Sequence, residues 1–395
     1  MTVKQKYSIL LTLGGLSALT PLSIDTYLPA FPKIAEDLNT DIPHISFSLT
    51  AYLIGVGIGQ IIYGPITDQF GRRKPLFIGL LIFFVASLCC TVSSSINELI
   101  FSRTILALGA CAGMVTSTAS VKDLFESSEI AGVFSILMLI LGLGPIIGPI
   151  LGSGILTIAN WKFIFYFLAF FSLILITVTY LYLPEIKTAG TKRKFTLNNI
   201  LADYHFVIQN QKFFLLSVTV GSAMAGMFAY IGSSPFVFIS FFKFNELQYS
   251  IAFAFNAIGF ILGSQINKRL LKVYSPLTLI YASVSLGFIA ASTLLSLVVL
   301  NLLSPIMMII IIFVYLFCLG FIIPNSTATA LSDFKQHAGT ATAFLGFLQM
   351  ILSALCSWMV GYFSEGSLIP VALGIFCPSL IYSCCVLLMS KKNEF

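Results

Sequence analysis

Apolar residues gather into twelve runs along this chain, at 8–30, 45–66, 75–93, 99–120, 132–157, 162–183, 213–240, 249–267, 276–299, 302–324, 337–362 and 368–389. Polar, glycine or proline residues close each run. A helix that crosses a hydrocarbon layer of about 30 Å needs about 20 apolar residues at 1.5 Å rise each, and these runs have that length. A membrane barrel would show shorter segments of alternating polarity. The pattern predicts an all-α integral membrane protein of twelve transmembrane helices.

The longest polar connection lies between the sixth and seventh runs and carries Lys187, Lys192, Arg193 and Lys194. It predicts an N-terminal six-helix bundle over 1–184, a basic linker over 185–212 and a C-terminal six-helix bundle over 213–395. Ile54-Gly55-Val-Gly-Ile-Gly59 in the second run recurs as Ile258-Gly259-Phe-Ile-Leu-Gly263 in the eighth. Small residues four apart let helices approach closely. Two six-helix halves related by an axis along the membrane normal are a transporter arrangement.

Composition agrees with the pattern. Of the 395 residues, 58% are hydrophobic and 9% charged, against about 25% charged in soluble domains. Charge then sets the topology. If the N-terminus is cytoplasmic, the segments on its side hold 17 of the 21 basic residues, while the opposite side holds Lys33, Lys162 and Lys243, and Arg103 lies within a run. The positive-inside rule therefore places both termini in the cytoplasm, and the formal charge of +6 needs no nucleic-acid partner. The eight cysteines all fall in apolar runs and read as buried small hydrophobes. The first run lacks a small-residue cleavage site and reads as a retained helix.

The candidate chemistry is sparse. Asp25, in Leu22-Ser-Ile-Asp25-Thr-Tyr-Leu-Pro29, stands inside the first run, where an ionisable group costs about 2.5–3.5 kcal/mol and marks an ion, proton or substrate pathway. Arg103 stands inside the fourth run and needs a carboxylate, carbonyls or water, unless it snorkels to the interface. Both residues lie about five positions from the outer end of their runs, so at 1.5 Å per residue they share a layer roughly 7–8 Å deep. Asp25 then either exchanges a proton or stays locked in an ion pair with Arg103. The cytoplasmic connection Gly64-Pro-Ile-Thr-Asp68-Gln-Phe-Gly71-Arg72-Arg73 combines turn glycines, a capping or pairing aspartate and anchoring arginines. The fifth run contains Gly142-Leu-Gly144-Pro145-Ile-Ile-Gly148-Pro149, in which prolines kink a helix and glycines admit a neighbour.

The Gly64–Arg73 connection resembles the signature loop of the major facilitator superfamily, with Gln69 where a basic residue is usual. Arg103 followed by Gly109 resembles that family's fourth-span motif, and Gly144-Pro145-x-x-Gly148 its drug and proton antiporter motif. With Ala18–Ala30, Lys122-Asp-Leu-Phe125, Tyr230–Phe238, Pro324-Asn325 and Ala338-Gly-Thr-Ala341, nearly the whole chain resembles the Bcr/CflA, or bicyclomycin-resistance, multidrug exporters. The resemblance implies proton-coupled efflux of small apolar or amphipathic drugs across the bacterial inner membrane by alternating access. Asp25 and Arg103 would couple protons, with no cofactor beyond that ion, in a lipid-embedded monomer. A dedicated exporter of a metabolite or siderophore shares every motif, and a passive facilitator is a further alternative.

Polar and aromatic residues that could line a central substrate cavity are Tyr27, Tyr52, Gln60, Phe228, Tyr230, Phe236, Asn256, Asn325, Gln349 and Met350. The buried amides of Asn256 and Gln349 need partners and lie mid-run. His44, His205 and His337 have no second ligand at metal spacing, and no P-loop lysine, nucleophile elbow or metalloprotease helix motif occurs, so a pump driven by ATP and a membrane enzyme find no support.

Overall fold

A computed structural model describes residues 3–185, 204–334, 338–364 and 366–391. Among these, twelve helices are long and apolar enough to cross a membrane: Gln5–Asp37, Ile42–Gly64, Arg73–Val92, Ile96–Val121, Gly132–Ile158, Lys162–Tyr182, Gln211–Phe241, Glu246–Leu270, Pro276–Val299, Pro305–Leu331, Gly339–Phe363 and Ile369–Met389. These are spans one to twelve below. Lys187, Lys192, Arg193, Lys194 and His337 lie outside the described residues.

Local chemistry sets many of the ends. Ser95, Asn210, Asn245, Ser275 and Ser304 cap spans four, seven, eight, nine and ten by accepting a backbone N–H three residues on, which satisfies one of the orphaned donors of a helix start. Spans nine and ten also open on Pro276 and Pro305, where the missing N–H costs nothing. The spans carry two apolar faces. On the third, Leu76, Leu80 and Phe83 are buried while Ile78, Leu81 and Val85 are exposed at helical spacing. An apolar face turned outward over a full span needs hydrocarbon as its solvent.

The chain divides into two compact units. Unit one comprises Met1–Thr40 and Ala51–Phe195, and unit two comprises Asp41–Thr50 and Thr196–Phe395. The start of span two thus groups with the second unit, unlike the simple division after span six. The reason is local packing: a Cβ built on Gly361 would meet Ser46 Oγ at 2.5 Å, and one built on Gly232 would meet Leu49 at 3.3 Å.

Each unit packs its spans by the same scheme. In unit one, span one contacts spans four, five and six, and span three contacts spans four and six; in unit two, span seven contacts spans ten, eleven and twelve, and span nine contacts spans ten and twelve. The repeated glycines take equivalent places. A Cβ on Gly55 would lie 2.7 Å from the Thr104 carbonyl of span four, and one on Gly259 2.7 Å from the Phe313 carbonyl of span ten. Gly59 meets Cys111 and Gly263 meets the Phe317 carbonyl in the same way.

All eight cysteines are free thiols, but they are not uniformly buried. Cys89, Cys377 and Cys384 are exposed on apolar spans, since the same composition serves both faces of such a helix.

Candidate functional site

The first span is not one helix. An α-helix runs over Val3–Asp25, a short 3-10 turn over Leu28–Ala30, and a second α-helix over Phe31–Asp37. The break follows from Tyr-Leu-Pro29-Ala-Phe-Pro32, because Pro29 and Pro32 have no N–H to offer the carbonyls of Asp25 and Leu28. Broken helices survive at membrane depth only where protein or a cavity surrounds them. Here the break is enclosed: Asp25 is 2% exposed, and Thr26, Tyr27 and Leu28 are fully buried.

Arg103 is fully buried and reaches this break from span four. One guanidinium nitrogen donates to the Ser23 carbonyl at 2.7 Å. Its carbon sits 4.4 Å from the ring centre of Tyr27, 4.7 Å from that of Tyr52 and 6.0 Å from that of Phe165. Two tyrosine faces therefore supply the negative potential that a carboxylate would otherwise provide. The Tyr52 hydroxyl is fixed in turn by a 2.6 Å hydrogen bond with Ser23 Oγ. Nε and Nη2 of Arg103 remain without hydrogen-bond partners.

Asp25 and Arg103 share this layer, yet they form no ion pair here. Two residues along a helix turn the side chain by about 200°, so when Ser23 faces Arg103, Asp25 faces away. It faces span five. A Cβ built on Gly148 would lie 2.5 Å from Asp25 Cβ and 3.1 Å from its carbonyl carbon, and one on Gly144 would lie 3.7 Å from Asp25 Oδ2. Among the described residues, nothing forms a hydrogen bond or ion pair with the Asp25 carboxylate. The locked pair, one of the two alternatives left open by the sequence, is thus not the arrangement of this structure.

Span five runs as one helix through Pro145 and Pro149. Gly144 and Gly148 are buried against span one, whereas Gly142 and Pro145 are half-buried. Prolines withdraw two N–H groups from this helix, and the glycines bring the first span's backbone against it.

At the far end of unit one, Gly71 has φ 82°, which glycine adopts without strain and which ends span two's helix. Arg72 is 9% exposed; its Nε donates to Asp123 Oδ2 at 2.9 Å and its Nη1 to Thr67 Oγ1 at 3.0 Å. Arg73 donates to the Tyr180 carbonyl at 2.7 Å and stacks on Tyr180 and Phe77. The loop therefore ties spans two and three to the ends of spans four and six. Gly64 has open space around it, and the side chains of Asp68 and Lys122 lie outside the described residues. Asp123, Thr67 and Tyr180 are partners that the motif reading missed; Asp123 was legible only as the acid beside Lys122.

In unit two, Asn256 Nδ2 donates to the Tyr230 hydroxyl at 2.9 Å, and Tyr230 stacks on Phe253 at 5.7 Å. Asn256 Oδ1 is buried without a partner. Asn325 exchanges two hydrogen bonds with Asn267, at 2.8 and 3.1 Å. That reciprocal pair engages one N–H and the carbonyl of each amide, so Asn325 ties span ten to span eight. Phe236 opens a π-helical turn over Phe236–Phe241 and lines a small void with Ser233, Ser357 and Ser364. Gln60, Phe228, Gln349 and Met350 join neither cluster through a side-chain hydrogen bond or ring pair among the described residues.

A fold built twice over, with charge enclosed in an otherwise apolar bundle, has the architecture of a multi-pass membrane transporter. The profile of the Major Facilitator Superfamily matches residues 13–357. The chain belongs to that superfamily. It is 32% identical over 395 residues to an uncharacterized MFS-type transporter, YdgK, of Bacillus subtilis, covering 99% of this chain and 98% of that one. It is 26% identical over 357 residues to a bicyclomycin resistance protein homolog of Haemophilus influenzae, covering 90% and 89%. It is 27% identical over 376 residues to the multidrug resistance protein MdtL of Salmonella paratyphi B, covering 93% and 92%. Among solved structures, a D-xylose-proton symporter shares the fold with TM-score 0.75 at 15% identity, covering 98% of this chain and 96% of that one.

Proposed function

We propose that this transporter exports small, mostly apolar or amphipathic drugs in exchange for protons, across the bacterial inner membrane, with both termini cytoplasmic. The observation that carries the coupling is Asp25, a carboxylate enclosed at 2% exposure with no ion pair among the described residues. A buried carboxylate without a counter-charge is held most cheaply in its protonated form. Export of drugs is supported by the similarity to bicyclomycin and multidrug resistance proteins, and the orientation by the excess of basic residues on one side.

The cycle follows from the two unfilled donors of Arg103. With Asp25 protonated, the carboxyl rests on span five. When the proton leaves, the carboxylate is drawn to Arg103, the buried cation in this layer among the described residues, and substrate and proton compete for this arrangement as the halves alternate in access. One charge crossing 100 mV yields about 2.3 kcal/mol and one pH unit about 1.4 kcal/mol, so each proton sustains a gradient of a few hundredfold. In unit two, the free Asn256 carbonyl next to the Tyr230 ring offers a hydrogen-bond acceptor beside an aromatic face for substrate.

The test is transport in proteoliposomes under an imposed ΔpH, against drugs and against hydroxamate and carboxylate siderophores. Asp25→Asn is expected to remain inserted and to lose ΔpH-driven export. Normal ΔpH-driven export by that variant refutes the coupling. Transport of siderophores alone makes the protein a dedicated exporter, and indifference to uncouplers makes it a facilitator.

A further inference from the structure

The fifth span meets the break in span one through one face only. Gly144, Gly148 and Gly152 recur every four residues, and each stands where a side chain would strike span one. A Cβ on Gly144 would lie 2.6 Å from Pro21 Cβ, one on Gly148 2.5 Å from Asp25 Cβ and 3.1 Å from Thr26 N, and one on Gly152 would collide with the Thr26 carbonyl. Gly154, two residues on, has nothing within 4 Å. The helix thus clears its side chains only along the track that Pro21, Asp25 and Pro29 occupy.

What occupies that track is independently unusual. The Asp25 side chain is buried, engages no hydrogen-bond partner or counter-ion among the described residues, and points its Oδ2 at Gly144. Residues 140–158 of span five contain no titratable side chain. The titratable and charged groups facing this end of span one are Arg103 from span four, Tyr52 from span two and Tyr27 on the broken span itself. Span six presents Phe165, which has no titratable group. The carboxyl therefore has a neutral, hydrogen-bond-poor bed on one side and the Arg103 cluster on the other.

We infer that Gly144 and Gly148 are positioning residues for the proton step: they form a seat on span five that holds the Asp25 carboxyl away from Arg103. This assignment rests on the coupling role proposed above for Asp25. It gives the Gly-Pro-x-x-Gly segment a task in protonation besides its effect on helix shape. A methyl group at position 148 leaves no room for Asp25 Cβ, so the carboxyl must leave the seat, and the free donors of Arg103 are the polar groups open to it.

The test reads Asp25 directly. Dicyclohexylcarbodiimide adds to a carboxyl only in its protonated form, and the modified peptide is quantified by mass spectrometry across pH in the full-length protein in liposomes, with Asp25→Asn as the blank. Gly148→Ala is expected to lower the pH midpoint of labelling by about one unit, a tenfold loss of proton affinity. Gly154→Ala is expected to leave it unchanged. A midpoint unchanged or raised in Gly148→Ala overturns the assignment. If Gly148→Ala fails to insert, Gly144→Ala decides by the same criterion. A merely structural role would change the amount of folded protein, not the midpoint. Transport by Asp25→Asn separates the two claims: normal ΔpH-driven export refutes coupling, whereas the labelling comparison still reports whether the glycines set the surroundings of the carboxyl.

Discussion

Replacing Arg103 by methionine is expected to abolish transport while changing stability little. The guanidinium gains about 2 kcal/mol from each of two desolvated tyrosine faces, at 4.4 and 4.7 Å. Its bond to the Ser23 carbonyl adds about 1.5–3 kcal/mol. Against this stand about 2.5–3.5 kcal/mol for a charge at membrane depth and about 1–3 kcal/mol for each of its two unfilled donors. Taken at mid-range the terms cancel to within about 2 kcal/mol, which for a unit of this size moves the melting temperature by less than about 8 °C. Tyr52 supplies the control. Tyr52→Leu in the native background leaves the charge with one face fewer, whereas in the Arg103→Met background that face no longer matters. The double-mutant cycle should show a coupling of about 2 kcal/mol by thermal melting in detergent, with transport measured in parallel in vesicles. Additive effects on melting, or full transport by Arg103→Met, would refute the reasoning.

Three more outcomes follow from the structure. Asp123→Asn removes the counter-charge of a mostly buried arginine and should cost about 1.5–3 kcal/mol and slow transport; exchanging the charges with Arg72→Asp and Asp123→Arg should restore part of the rate, measured as the initial rate of transport in vesicles. Gly263→Ala drives a methyl into the Phe317 carbonyl and should cost about 1–3 kcal/mol in melting, as overpacking does, unlike Gly339→Ala, which has open space. Glu129, outside the spans, is held below the usual carboxylate range by a 2.6 Å hydrogen bond from Lys6, so its contribution is present above its unfolded pKa and is lost as pH falls through the folded one; melting curves of Glu129→Gln and the parent protein should therefore differ at neutral pH and converge in acid.

Hydrophobic runs revealed the twelve spans to within about three residues, apart from the C-terminal ends of spans one and ten, which run seven residues further, because length and polarity alone decide what can lie in hydrocarbon. The repeat was legible from Gly55 and Gly59 against Gly259 and Gly263, since close helix approach demands small residues in both units. The layer shared by Asp25 and Arg103 followed from counting residues along two helices, but their separation did not. Facing depends on a rotation of about 100° per residue and on which neighbour lies at each angle, and a one-dimensional count carries neither. The partners of Arg103 were hidden for a related reason: Tyr27, Tyr52 and Phe165 are three aromatics among the chain's 37 Phe and 15 Tyr, and only the fold selects them. Asn325 was legible as a buried amide in need of a partner, but Asn267, which supplies it, was not, because the two lie on different spans.

The two units solve one packing problem with different polar contents. Each joins its first two spans by a serine–tyrosine hydrogen bond, but at different levels: Ser23 with Tyr52, in the middle of span two, at 2.6 Å, and Ser234 with Tyr249, at the start of span eight, at 3.0 Å; in the register that pairs Gly55 with Gly259, the counterpart of Tyr52 is Asn256. In unit one an arginine stacks on that tyrosine and a carboxyl is enclosed two residues beyond the serine. In unit two the tyrosine adjoins Phe253, which stacks on Tyr230 beside the neutral amide of Asn256. Ionisable groups are costly at this depth, and a structural bond between two helices requires none, as unit two demonstrates. On the proposed cycle the charges of unit one serve proton exchange at Asp25, with the neutral cluster of unit two left to meet an uncharged substrate.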